Sequence, residues 1–183
     1  MTAQPRKKPN NASPKILGAA RAIALREGAG KITIDAVARE SGLSKGGVLY
    51  NFPTKKALLA GLLDEMLTEH RERLASVSGD CTFPTLRGHL ETVQRTKSVD
   101  DDLSMAILAV SASDPNLLDP LRSELSGDIE RIRSEAQDAT EAMILLLAIQ
   151  GLCFQRLLRL ADGDIYQQDA VVDRLKGMID ELE

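Results

Sequence analysis

The chain has 183 residues, 43% of them hydrophobic, 27% charged and only 3% aromatic. That balance excludes a disordered chain, and two cysteines, Cys81 and Cys153, exclude a disulfide framework. The net charge of −4 hides a division: residues 1–60 hold eleven Lys/Arg against three Asp/Glu, and the other 123 hold twelve against twenty-four. The first segment therefore suits a polyanion, unless it is only a solvated basic face.

With so few aromatic side chains the core must come from Leu, Ile, Val, Ala and Met, which favours helices over strands. The start, Met1 to Asn11, is basic and proline-rich with no apolar stretch behind it, unlike a secretory signal. The longest apolar run, Ala142 to Ile149, falls short of the ~20 residues that cross a bilayer. The expectation is a cytoplasmic protein without membrane contact.

In chain order, residues 1–12 carry Pro5, Pro9 and Arg6-Lys7-Lys8 and read as a flexible basic arm. Ser13-Pro14 reads as an N-cap followed by proline in the first turn. Ile16, Ala20, Ile23 and Ala24 then share a face, and Gly28 ends the helix. Thr33 opens a second helix with Ile34, Val37 and Ala38 on one stripe, closed by Gly42. Ser44 caps a third through Val48, Leu49 and Tyr50, which must stop before Pro53. Thr54 opens a fourth, with Leu58, Leu62, Met66 and Leu74 on its stripe; if it runs to Ser78 it spans roughly 37 Å.

Beyond Gly79 the helical period continues. Leu86, Leu90 and Val93 mark one helix, and Leu103 to Val110, after Asp100-Asp101-Asp102, another. Asp114-Pro115 restarts a helix carrying Leu118, Leu121, Leu125, Ile129 and Ile132. Thr140 to Leu160 is apolar nearly all round, and Val171 to Leu182 forms a last amphipathic helix. The fold class is all-α with about nine helices: an N-terminal three-helix unit at 13–60, and a helical bundle at 61–183 joined to it by the long fourth helix.

Within the basic segment, two short helices joined by Gly42-Leu43-Ser44 describe a helix-turn-helix. Gly42 permits a left-handed turn, and Leu43 and Val48 bury the third helix. Ser44, Lys45, Gly46, Tyr50 and Asn51 are left to project outward. The stretch from Thr33 to Leu58, with Gly42-Leu43-Ser44-Lys45-Gly46, Leu49-Tyr50 and Phe52-Pro53-Thr54-Lys55, resembles the tetracycline-repressor (TetR) family signature. The match covers roughly residues 13–63.

That resemblance implies a homodimeric transcriptional repressor, released from operator DNA by a small ligand. It makes Thr33 a phosphate contact, Ser44, Lys45 and Gly46 the first contacts of a recognition helix, and Lys55 a phosphate-gripping lysine. Where the family most often has Tyr this chain has Leu49, with Tyr50 one position later, so base readout falls to Tyr50 and Asn51. Gly46-Gly47 weakens the recognition helix by ~1 kcal/mol per glycine, unless the pair serves close packing.

A helix as apolar as 140–160 needs cover on every face, and a second copy would supply it. The expected dimer residues are Leu146, Ile149, Gly151, Leu152, Val171, Leu175 and Met178, with Arg156 and Arg159 pairing with acids across the interface. Family members are likewise expected to dimerise through their last two long helices, so that two recognition helices read a pseudo-palindrome.

Candidate ligand-pocket residues are Met66, His70, Leu86, His89, Leu90, Met105 and Leu108, for a modest-sized, largely apolar ligand; the same side chains would also make an ordinary core. His70 and His89 have no metal-ligand spacing, although neighbouring Asp and Glu could supply oxygen ligands, and neither metal nor cofactor is expected. Motifs of a phosphate loop, a nucleophile elbow or a zinc protease are missing, which argues against an enzyme. The alternative reading is a DNA-binding regulator or architectural protein without a small-molecule switch, controlled by a protein partner. A closed apolar cavity between helices 4 and 8 would separate the two, since an architectural binder would have that space filled.

Overall fold

The computed structural model describes residues 12–77, 81–95, 98–112, 114–158, 160 and 168–182. Nine α-helices and two short 3-10 turns make up the described residues, with no strand among them. The basic arm expected at 1–12 lies, but for its last residue, outside them. The chain divides into two compact units, Met1–Leu62 and Leu63–Glu183.

The first unit holds α1 (Ala12–Glu27), α2 (Ile34–Ser41), α3 (Lys45–Asn51) and the opening turns of α4 (Lys55–Val77). Each boundary has a local cause. Thr33 keeps extended backbone and its Oγ1 accepts from Ala36 N–H at 3.1 Å, while Asp35 complements the positive end of α2. Gly42 takes φ 66° and turns the chain left-handed. Ser44 Oγ accepts from Gly47 N–H at 3.1 Å, starting α3.

Two glycines disfavour α3 by about 2 kcal/mol. The Ser44 cap returns about 1 kcal/mol, and burial of Val48, which is 0% exposed, roughly 2 kcal/mol more. Packing therefore decides that α3 is a helix. Val48 lies in a core with Ile16, Ile23, Ile32, Val37, Leu58 and Leu62. A methyl on Gly61 would stand 2.7 Å from a ring carbon of Phe52, so only glycine lets that ring lie against α4. One expectation is corrected here: α1 begins at Ala12, so Ser13 lies inside the helix, and its hydroxyl donates to Asn51 Oδ1 at 3.2 Å.

The second unit continues α4 and adds α5 (Pro84–Arg95), α6 (Ser98–Ser111), α7 (Asp119–Glu135), α8 (Ala139–Leu157) and α9 (Gln168–Asp180). Residues 114–132 do not form one helix. Pro115–Leu118 is a 3-10 turn and α7 starts after it, with Pro120 in its first turn, where a missing N–H is harmless. Asp138 Oδ1 accepts from the N–H groups of Thr140 and Glu141 at 2.8 and 3.1 Å, fixing the start of α8.

The core is Phe83, Leu86 and Leu90 with Ile132, Leu145, Leu146, Ile149, Leu152, Leu175 and Ile179. A methyl at Gly88 would overlap the Leu74 side chain and lie 3.4 Å from its Cα. Glycine at that position lets α5 pass close to α4. By length and composition alone α8 could cross a membrane, the one such helix among the described residues. One of its sides, however, is built into this core.

Candidate nucleic-acid interface and ligand cavity

On the first unit the outward side of the helix-turn-helix carries Thr33, Ser44, Lys45, Gly46 and Tyr50, all exposed, Tyr50 at 70%. Thr33 and Ser44 accept backbone bonds at their helix starts, so each hydroxyl keeps its proton to offer outward. Lys45 Nζ sits 3.0 Å from Asp35 Oδ1, and both side chains are 59% exposed. An exposed pair of this kind is worth no more than about 1 kcal/mol, so Lys45 can exchange Asp35 for a phosphate at little cost. Lys55 is half-buried at the first position of α4.

Two of the expected DNA contacts are partly withdrawn from the surface. Asn51 is half-buried, donating to Gly47 C=O at 2.8 Å and accepting from Ser13, so its amide ties α3 to α1. Gly47 is half-buried too: its N–H is taken by Ser44 Oγ, and a methyl there would stand 3.3 Å from that oxygen. Behind the face, Arg26 holds both carboxylate oxygens of Glu40, at 3.2 and 2.8 Å, bracing α1 against α2. These hydrogen bonds keep the Glu40 carboxyl below its ordinary range.

The second unit contains a cavity of about 280 Å³ that is open on one side. Leu63, Met66 and Leu67 of α4 line it, with Leu121 of α7 and Leu157 of α8. Polar groups enter from Glu69, His70, Arg73, Thr92, Asp101 and Ser104, and from Cys153 and Arg156 of α8. Arg73 Nε is buried without a hydrogen-bond partner. Arg156 points inward, donating to Val93 C=O at 2.6 Å and pairing with Asp101 at 3.3 Å. Burial pushes the Cys153 thiol up, against the pull of Arg156.

This lining changes the expected pocket. Met66 and His70 belong to it. Leu86 and Leu90, at 0% and 3% exposure, are core; Met105, at 39%, is exposed; and Leu108 is not in the lining. Polar side chains are numerous in this lining, but most of its exposed surface is apolar.

Beside the cavity, His89 is buried, its Nε2 3.0 Å from Asp128 Oδ2. His70 Nε2 lies 3.5 Å from the same oxygen, and the two rings sit 5.0 Å apart. Arg131 holds the other oxygen of Asp128. Burial alone would raise the Asp128 carboxyl, but bonds from His70 and His89, the charge of His89 and the bond from Arg131 bring it well below the ordinary carboxylate range. His89 is thus engaged with Asp128 and is not part of this cavity's lining. The sequence held a signal for Asp128: it falls inside the apolar stripe Leu121, Leu125, Ile129, Ile132, where a carboxylate needs a buried partner.

The outer side of α8 carries Ile144, Leu147 and Phe154, exposed at 58%, 62% and 56%, with Gly151 between them and Leu158 beyond at 45%. Their 3- and 4-residue spacing draws one stripe along the helix. The dimer residues expected from the sequence are corrected accordingly. Leu146, Ile149, Leu152 and Leu175 are no more than 7% exposed and packed in the chain's own core, and Arg156 faces the cavity. Met178 packs half-buried against that core, whereas Val171, 37% exposed, remains available. Arg159 lies outside the described residues.

Residues 84–180 match the family model described as Tetracyclin repressor-like, C-terminal domain, and residues 16–62 match that of Bacterial regulatory proteins, tetR family. No curated protein sequence matches significantly. Among solved structures, a transcriptional regulator from Rhodococcus sp. Rha1 aligns over 94% of this chain and 98% of its own, with a TM-score of 0.73 and 19% identity. NalD, the secondary repressor of the MexAB-OprM multidrug efflux pump in Pseudomonas aeruginosa, aligns over 93% and 94%, with a TM-score of 0.64 and 21% identity. The multidrug binding protein EbrR, complexed with malachite green, aligns over 92% and 98%, with a TM-score of 0.64 and 19% identity. At such identities the likeness is one of fold.

Proposed function

We propose that this chain, which belongs to the tetracycline-repressor family of non-enzymatic DNA-binding transcription regulators, is a homodimeric repressor released from its operator by a small, largely apolar ligand. The observation that carries the reading is the exposed face of Thr33, Ser44, Lys45, Gly46 and Tyr50, on a unit with a large excess of positive charge. Thr33, Ser44, Lys45 and Lys55 position the protein on phosphates, while Gly46 and Tyr50 approach base edges. The domain roles follow: residues 13–60 bind DNA, and 61–183 carry ligand binding and dimerisation.

The stripe Ile144, Leu147, Gly151, Phe154 on α8, extended by Val171 of α9, supports pairing of two copies. An α8 that is apolar on both sides is what a helix shared between a core and a twofold interface requires. The pocket, although open on one side, leaves room for a ligand and so favours a ligand-controlled regulator over an architectural protein. Its leucine and methionine wall suits an apolar body, and Arg73, whose buried Nε lacks a partner, suits a polar acceptor at one end. Because α4 is one continuous helix from Lys55 to Val77, a ligand that favours one position of its second half biases the first half.

Selection from a random duplex library with the full chain is the decisive experiment. The expected product is an inverted repeat whose half-sites lie about one helical turn apart. No enrichment, or enrichment of a single asymmetric half-site, refutes the dimeric-regulator reading. A thermal-shift screen followed by operator titration tests the ligand arm. A compound that fills the cavity and leaves operator affinity unchanged refutes the coupling.

A further inference from the structure

Asp128 is the only fully buried carboxylate side chain among the described residues, at 0% exposure. Three cationic or nitrogen-bearing side chains from three helices converge on it. Arg131 holds Oδ1. Nε2 of His89 and Nε2 of His70 both aim at Oδ2, at 3.0 and 3.5 Å. The second of these is at the limit of a hydrogen bond, so Oδ2 is not explained as the acceptor of two good ones.

The geometry matches another use. A four-coordinate ion with bonds of about 2.0–2.1 Å to nitrogen and oxygen holds its ligands roughly 3.3 Å apart. The two nitrogen–oxygen separations fall on either side of that value. One donor atom from each of the three residues lies within 4.8 Å of the others, so a small closure completes the set. Arg131 on Oδ1 is an outer-shell partner that fixes the carboxylate, leaving one oxygen for a metal. His70 also lines the 280 Å³ cavity, which gives an ion a way in and a fourth position for water. Two imidazoles and one carboxylate favour borderline ions such as zinc over magnesium or calcium, which prefer oxygen alone.

We propose that Nε2 of His70, Nε2 of His89 and Oδ2 of Asp128 form a binding site for a divalent transition-metal ion of the zinc type, joining α4, α5 and α7. This goes beyond the repressor reading and does not depend on it. His70 and His89 are too far apart in sequence for a spacing motif, and the third ligand comes from a helix 39 residues further on than His89, so only the folded chain assembles the set.

The test uses the full chain carrying C81S and C153S, to remove thiol ligands, stripped with a chelator and titrated first with cobalt(II) and then with zinc(II). The expected result is the visible spectrum of four-coordinate cobalt at one ion per chain, displaced by zinc. H70Q, H89Q and D128N should each weaken zinc binding by more than about 100-fold, since even outer-shell changes cost 10–100-fold. Circular dichroism checks that each variant folds. Unchanged zinc affinity in a folded H89Q or D128N overturns the proposal. Should those variants unfold, the parent decides: no four-coordinate cobalt spectrum and no zinc binding at micromolar concentration overturn it equally.

Discussion

Replacing Leu147 by alanine tests which side of α8 meets a second copy. Leu147 is 62% exposed in the single chain, while its neighbour Leu146 is 1% exposed. Complete burial of a leucine side chain is worth about 1.5–3 kcal/mol. The exposed share of Leu147 therefore leaves roughly 1–2 kcal/mol for a partner to collect. A twofold interface contains each contact twice, so the truncation should weaken the dimer by roughly 2–4 kcal/mol. That is a rise of about 30- to 900-fold in the dimer dissociation constant. Sedimentation equilibrium over a range of concentrations measures the constant, and urea unfolding of the monomer should barely move. L146A provides the contrast, with a loss of about 2–5 kcal/mol of chain stability from the cavity it leaves in the core. An unaltered association constant in L147A, or a monomer already present in the unmutated chain at micromolar concentration, would refute the assignment of this stripe to the interface.

The DNA face yields two further expectations. K45A and K55A should each weaken operator binding and reduce the slope of log affinity against log salt by about 1, as one phosphate contact is lost. K45A should have the larger effect, because it leaves Asp35 uncompensated beside the phosphates. Conversely, D35N should strengthen binding, because Lys45 no longer has to leave a carboxylate. Equal affinities for D35N and the parent at low salt would remove Lys45 from the contact list. Cys153 offers a pH readout. Burial raises its thiol above the ordinary value, so the folded chain keeps this proton more tightly than the unfolded one. Its stabilising contribution is complete below the unfolded pKa and is lost as pH rises through the folded one. Alkylation of Cys153 should accordingly lag behind that of a free thiol at pH 8 and accelerate in alkali. A ligand occupying the cavity should slow it further, and labelling at the free-thiol rate contradicts the burial.

What the sequence determined by itself was local. The caps at Thr33 and Ser44, the left-handed Gly42 and the stop before Pro53 act within a few residues, so the helix-turn-helix was legible from its spacing. Its exposed Lys45, Gly46 and Tyr50 could be read in the same way. The long apolar α8 was equally plain, and so was its need for cover on every side. Only the tertiary structure decided which side faces inward. Ile144 and Leu146 are of similar hydrophobicity, and the choice between them depends on where α5, α7 and α9 pack. Packing also tied Asn51 to Ser13, 38 residues earlier. It turned Arg156 from an expected interface partner into a wall of the cavity, and brought His70, His89 and Asp128 to one point. Contacts between distant residues depend on how helices pack against one another, and a pattern that repeats every 3.6 residues carries no record of that.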